Sequence, residues 1–291
     1  MYSAIAANKR NTYIIIACFI ALVWGLSYLF SIYYGSTGIM WGSLAVATIY
    51  ALIQYFMAAK LALAMNGAKE IQKQDNPRLY RIVENLSITN GMPMPKVYII
   101  DDPAPNAFAT GRDPEHAFVA ATTGIMDVMD DRELTAVMAH EMGHVKNYDI
   151  RVMMIVFGLV SAIGIIADMF MRMMWFGGNN EERPSSPLFF VGAIFAAVIT
   201  PIIAMLVQAA VSRQREYLAD ATGALTTRDP EGLASALEKI GAIGSATQRQ
   251  NSSTAHLFFA NPLKSGLMNA FSTHPPIEER VTRLRSLTSK M

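Results

Sequence analysis

Four stretches of this 291-residue chain are too apolar for an ordinary soluble fold. Residues 12–34, 39–59 and 187–211 carry no charged side chain, and residues 152–171 carry only Asp168. Each reaches the ~20 apolar residues that a helix needs to cross a hydrocarbon core. Two such runs separated by a few residues at the N-terminus are hard to bury inside one soluble domain. The first follows Lys9-Arg10, as a signal sequence would, but it is too long and a second run follows at once, so an uncleaved anchor is expected. The whole chain is 52% hydrophobic and 16% charged, against about 25% charged in soluble domains. The expected fold class is a mainly α membrane protein, with transmembrane helices joined to an α+β domain containing a small β-sheet.

Charge placement orients this arrangement. Lys9 and Arg10 precede the first run, no Lys or Arg occurs at residues 35–38, and Lys60, Lys69, Lys73, Arg78 and Arg81 follow the second run. Positive charge marks the cytoplasmic side, which places the N-terminus and residues 60–150 in the cytoplasm of a multi-pass cell-membrane protein. The expected division is a transmembrane hairpin at 1–59, the first part of a cytoplasmic domain at 60–151, a second hydrophobic hairpin at 152–211, and the second part of that domain at 212–291. The net charge of +1 points to no partner, and nucleic acid is not expected among them. The single cysteine, Cys18, excludes an intrachain disulfide and a cysteine-based metal site.

Between the runs, residues 60–75 read as a helix leaving along the membrane surface. Asn76-Pro77 starts another helix, with Asn as cap and Pro in the first turn, and Asn90-Gly91 ends it. Short β-prone runs follow at 96–100, 107–110 and 117–122. Asp130 and Glu133 have capping-box spacing and open a helix whose apolar face is Leu134, Val137, Met138, Met142 and Val145. Further helices are expected at 213–225, 231–243 and 276–287, with a polar, mobile loop at 244–254.

The helix opened by Asp130 carries His140-Glu141-Met142-Gly143-His144, two of only five histidines in the chain. Residues four apart share a helix face, so both imidazoles can address one Zn²⁺, with Glu141 beside them to hold the attacking water. A catalytic zinc usually takes three protein ligands. The extended three-histidine pattern fails, because Asn147 stands at its glycine and Ile150 at its third histidine. A carboxylate from a later helix is the alternative. Glu216 and Asp220 in Arg215-Glu216-Tyr217-Leu218-Ala219-Asp220 share a face: Glu216 can ligate while Asp220 orients a ligand histidine through its other ring nitrogen. In isolation such a pair is more often a solvated face beside Arg213 and Arg215. An antiparallel hairpin of the third and fourth apolar runs, however, returns Glu216 to the membrane face where His144 lies. His274, held before Pro275-Pro276, can contact an oxyanion or be a turn residue. His116 reads as a loop residue, Tyr217 as core, and His256 has no assigned role.

These motifs, in order, resemble the HtpX-type membrane zinc metalloproteases, relatives of the enzymes that process prenylated C-termini. The matching stretches are Asn76-Pro77-Arg78-Leu79-Tyr80, Met92-Pro93-Met94-Pro95, Asn106-Ala107-Phe108-Ala109-Thr110-Gly111, the H-E-M-G-H run, Arg215 to Asp220, and Thr273-His274-Pro275-Pro276-Ile277-Glu278-Glu279-Arg280. The resemblance implies a gluzincin-like zincin domain with one Zn²⁺ per chain, held by His140, His144 and Glu216. It implies Glu141 as the catalytic residue and Asp220 as the orienting carboxylate. It also implies Asn106, Ala107, Phe108, Ala109 and Thr110 as a substrate wall, His274 as a transition-state contact, and Arg280 near the site or in a salt bridge. The implied activity is cytoplasmic-face cleavage of misfolded or damaged membrane proteins, with polypeptides and the lipid bilayer as partners. A prenyl-peptide protease would need a chamber of more spans than four. A non-catalytic zinc scaffold has no use for Glu141, and a transporter leaves the histidine motif unexplained.

Overall fold

The computed structural model describes residues 2–34, 37–159, 213–248, 254, 257–260 and 275–288. His256, His274, the third apolar run beyond 159 with Asp168, and the fourth run fall outside the described residues.

Two long helices open the chain, α1 (Tyr2–Tyr34) and α2 (Thr37–Met65). Both are apolar on all sides rather than along one stripe, the pattern of helices surrounded by apolar material. Among the described residues, Met40–Met65 is the one stretch long and apolar enough to cross a membrane. The surface helix expected at 60–75 is not present. Instead α2 runs on to Met65, Gly67 turns the chain with φ +68°, and β1 (Lys69–Glu70) pairs antiparallel with β2. Glycine takes that left-handed turn without the steric cost of a Cβ.

The helix α3 (Pro77–Asn90) begins where expected. The Asn76 side chain accepts from the Leu79 backbone N–H at 2.9 Å, and Gly91 closes the helix in the left-handed conformation. Leu79, Val83 and Leu86 form its buried stripe. The strands β2 (Lys96–Ile100), β3 (Ala107–Gly111) and β4 (Ala117–Thr122) complete a four-stranded sheet of order β1-β2-β4-β3, with β2/β4 parallel and β3/β4 antiparallel.

Alternation along these strands sends side chains to two different cores. Val97, Ala107, Ala109, Ala117, Val119 and Ala121 face α3 and the helix α5 (Asp131–Lys146), reached through the short helix α4 (Thr123–Val128). Ile100, Phe108 and Ala120 face the other way, onto Ala58, Ala62 and Leu63 of α2 and onto Met153, Met154 and Phe157. The sheet is thus a partition between the histidine-bearing helix and α2.

Asp130 and Glu133 form the expected capping box on α5. After a turn at 147–148 the chain is helical again over 149–159, and Val152, Ile155 and Val156 pack on Ile15 and Phe19 of α1. The helices α6 (Arg213–Thr227), α7 (Pro230–Ile243) and α8 (Ile277–Thr288) follow the expected positions within two residues. Residues 244–248 are irregular but tethered: Gln248 N–H donates to Asp102 and Asn106 donates to the Ser245 carbonyl.

Candidate metal centre

The centre is built where α5 crosses α6. A Cβ added to Gly143 would lie 3.4 Å from the Ala219 backbone, and one added to Gly223 would lie 3.0 Å from His140 N. The absence of side chains at these two positions lets the helices approach closely enough for Glu216 to meet the histidines.

His140, His144 and Glu216 are all buried, and one ligand atom from each lies within 4.8 Å of the others. The two Nε2 atoms are 3.2 Å apart. Glu216 Oε1 is 3.5 Å from His144 Nε2, and Oε2 is 3.8 Å from His140 Nε2. Tetrahedral zinc with ligands at about 2.0–2.1 Å separates them by about 3.3 Å, so the donor set fits the ion.

Each histidine is held from behind by a carboxylate. His140 Nδ1 is 2.9 Å from Asp220 Oδ1, and His144 Nδ1 is 3.0 Å from Asp149 Oδ2. A carboxylate at Nδ1 keeps the proton there and turns the Nε2 lone pair toward the centre. Arg280 closes the rear of the site. It is 1% exposed, donates twice to Asp220, and lies over the Phe259 ring, which meets the His140 ring edge-on.

The electrostatics favour a cation. Burial pushes His140 down to about 4, keeping it a neutral donor. Burial also opposes charge on His144, but Asp149 and Glu216 outweigh it and raise that ring to about 9. Metal binding needs the Nε2 lone pair of His144, so it is coupled to proton release from that ring. Asp220 is held down at about 2: burial works against it, but Arg280 and His140 prevail.

Glu141 is buried on the same helix. Burial raises it to about 7, reinforced by Glu216, while its carboxylate accepts a hydrogen bond from the Ala109 backbone N–H. Its Oε1 is sealed from solvent with no hydrogen-bond partner among the described residues. A carboxyl group that titrates near 7 and has one free oxygen can take and return a proton at neutral pH.

Residues 73–288 match the model of Peptidase family M48. The chain belongs to peptidase family M48. It is 56% identical over 288 residues, 99% of this chain and 98% of the relative, to a protein named Protease HtpX homolog in Tropheryma whipplei (strain Twist). It is 42% identical over 296 residues, again 99% and 98% of the two chains, to the Protease HtpX homolog of Caldanaerobacter subterraneus subsp. tengcongensis. In fold it is similar to the crystal structure of S. mikatae Ste24p, with a TM-score of 0.51 and 18% identity, covering 95% of this chain and 64% of that one. The resemblance read from the motifs thus holds, and the M48 chain is a zinc metalloprotease acting on polypeptides.

Within this M48 chain the structure brings together His140, His144, Glu216, Glu141 and Asp220. Arg280 forms a buried salt bridge with Asp220. Tyr217, expected in the core, is only partly buried and lies beneath the Arg283 guanidinium at 3.7 Å. His116 ends a short 3-10 turn capped by Asp113, with its Nδ1 2.7 Å from the Asp113 carboxylate. Residues 106–110 line the sheet edge next to Glu141, all of them buried. The sequence reading missed Asp149. Its only signal is an acid five residues after His144, and it reaches that ring because Tyr148 adopts φ +61°.

Proposed function

We propose that this chain is a membrane-embedded zinc endopeptidase that cleaves misfolded or damaged membrane proteins at the cytoplasmic face. The observation that carries the reading is the buried trio His140, His144 and Glu216 with the unpartnered Oε1 of Glu141 beside it, on a sheet whose opposite face rests on an apolar helix. The name HtpX homolog carried by close relatives supports it.

His140, His144 and Glu216 would hold the zinc, with Asp220 and Asp149 setting the histidine tautomers. When bound, zinc lowers the pKa of water and polarises the scissile carbonyl. Glu141 accepts the water's proton at Oε1 and later delivers it to the leaving amine. His274 would face the oxyanion. Residues 106–110 form the wall against which an extended peptide pairs, since β3 is the edge strand of the sheet. That edge is now bridged by Phe258 opposite Phe108, with Phe259 N–H donating to the Ala107 carbonyl. A substrate would displace these residues.

The bilayer reading rests on Met40–Met65 and on the large apolar side chains that α2 leaves exposed, among them Trp41, Ile49, Leu52 and Phe56. Residues 1–59 and 152–211 would be the two membrane hairpins, and 60–151 with 212–291 the two parts of the catalytic domain. Lys9, Arg10 and Lys60 support a cytoplasmic catalytic side.

The test is zinc content measured alongside cleavage of an unfolded membrane-protein substrate. Glu216→Ala is expected to lose zinc and activity, whereas Glu141→Gln keeps zinc and loses at least about 10²-fold in turnover. Turnover unchanged in Glu141→Gln would overturn the mechanism.

A further inference from the structure

The first apolar helix reaches the metal centre itself. Asn8, near the start of α1, is 5% exposed. Its side-chain amide donates to the Asn147 carbonyl at 2.9 Å and to Asp149 Oδ1 at 2.7 Å. The other oxygen of Asp149, fully buried, is the one that faces His144 Nδ1 at 3.0 Å. An unbroken chain of contacts therefore runs from α1 to His144, across 139 and 141 residues of sequence for the two Asn8 bonds.

The turn that presents Asp149 needs such support. Tyr148 sits at φ +61°, a region that costs a bulky residue energy and persists only where its surroundings hold it. Lys9 lies 4.3 Å from the centre of the Tyr148 ring and Arg151 lies 5.0 Å from it. Asn8 and Lys9, adjacent on α1, thus grip all three residues of the turn at 147–149: two by hydrogen bonds and the middle one through its ring. Further along α1, Ile15 and Phe19 join an apolar cluster with Val152, Ile155, Val156 and Leu159 and with Ala47 of α2.

We propose that Asn8 is a positioning residue for the metal centre: it fixes the rotamer of Asp149 and, through it, aims the Nε2 lone pair of His144. The first apolar helix is then part of the catalytic scaffold as well as an anchor. The inference rests on His144 being a zinc ligand. Partners behind a metal-ligating histidine are worth 10–100-fold in metal affinity, and Asn8 stands one bond further back, at the lower end of that range.

The full chain, purified in detergent and loaded with zinc, is mixed with a chromophoric chelator and the rate of zinc release is recorded. The visible absorption of the cobalt(II)-substituted protein is recorded as a second readout of ligand geometry. Asn8→Leu is expected to release zinc about tenfold faster and to change the cobalt spectrum. Phe19→Ala, which weakens the docking of α1 without touching Asp149, is expected to lower the melting temperature and leave both readouts as in the wild type. If Asn8→Leu does not fold, Asn8→Ser is read on the same scale. Wild-type release and spectrum in the Asn8 variant, or equal acceleration by Phe19→Ala, overturn the proposal while the ligand assignment stands. Zinc retained in His144→Ala overturns the ligand assignment and the proposal with it.

Discussion

Arg280 holds Asp220 through two hydrogen bonds, Nε to Oδ2 at 2.9 Å and a terminal guanidinium nitrogen to Oδ1 at 2.7 Å, and the pair is almost wholly buried. Asp220 in turn stands 2.9 Å from His140 Nδ1. The last helix of the chain is thereby locked to the motif helix through a carboxylate on α6. Removing one partner of a buried pair costs about 3–5 kcal/mol, because the other charge is left uncompensated. Arg280→Met is accordingly expected to lower stability by about that amount and to weaken zinc binding about 10-fold or more. Thermal melting with and without zinc checks both effects.

Gly223 is a point of close approach between α6 and α5. A Cβ there would meet backbone atoms of His140 at 3.0 and 3.2 Å, which cannot rotate away. Gly223→Val is expected to cost about 1–3 kcal/mol by overpacking, and to move Glu216 away from the histidines. The outcome to measure is zinc stoichiometry, which falls below one per chain. Gly223→Ala is expected to be milder in both respects.

Phe258 packs on Phe108 with ring centroids 5.0 Å apart, bridging the edge of β3. If a substrate pairs with that edge, Phe258→Ala should ease displacement of residues 257–260. Giving an incoming peptide about 1.4 kcal/mol raises kcat/KM about tenfold. Peptide kinetics at matched zinc content check this. A lower kcat/KM would mean that Phe258 belongs to the binding wall instead.

Glu133 supplies a pH dependence remote from the metal. Its burial would raise its pKa, but Lys239 at 2.6 Å and Ser235 at 2.6 Å outweigh that and hold it below the ordinary 4.5. A depressed carboxylate contributes stability that is fully present above the unfolded value, and loses it as pH falls through the folded one. Glu133→Gln is therefore expected to be less stable than wild type at neutral pH. The two should converge as pH drops below about 4.5, as followed by melting temperature against pH.

The local signals in the sequence proved informative. Asn76-Pro77, Asp130 with Glu133, and the i, i+4 histidines each act within one helical turn, so composition and spacing suffice to place them. Residues 60–75 were misread because the rest of their interactions is distant: β1 exists only by pairing with β2, and α2 continues to Met65 because Ala62 and Leu63 have the sheet to pack against. The burial of Arg280 was equally hidden, since nothing near it in the chain shows that Asp220, 60 residues away, is its partner.

The sequence by itself determined the metal chemistry: His140 and His144 share a face by helix geometry alone, and Glu141 comes with them. It also ruled out the extended three-histidine spacing, which left a carboxylate from a later helix as the alternative third ligand. The tertiary structure decided what surrounds that chemistry. Gly143 and Gly223 let two helices touch, and a left-handed Tyr148 swings Asp149 behind His144. Asn8 then reaches in from a helix that composition marks only as apolar. Apart from the Asp149–His144 contact, these join residues far apart in sequence, and no periodicity records them.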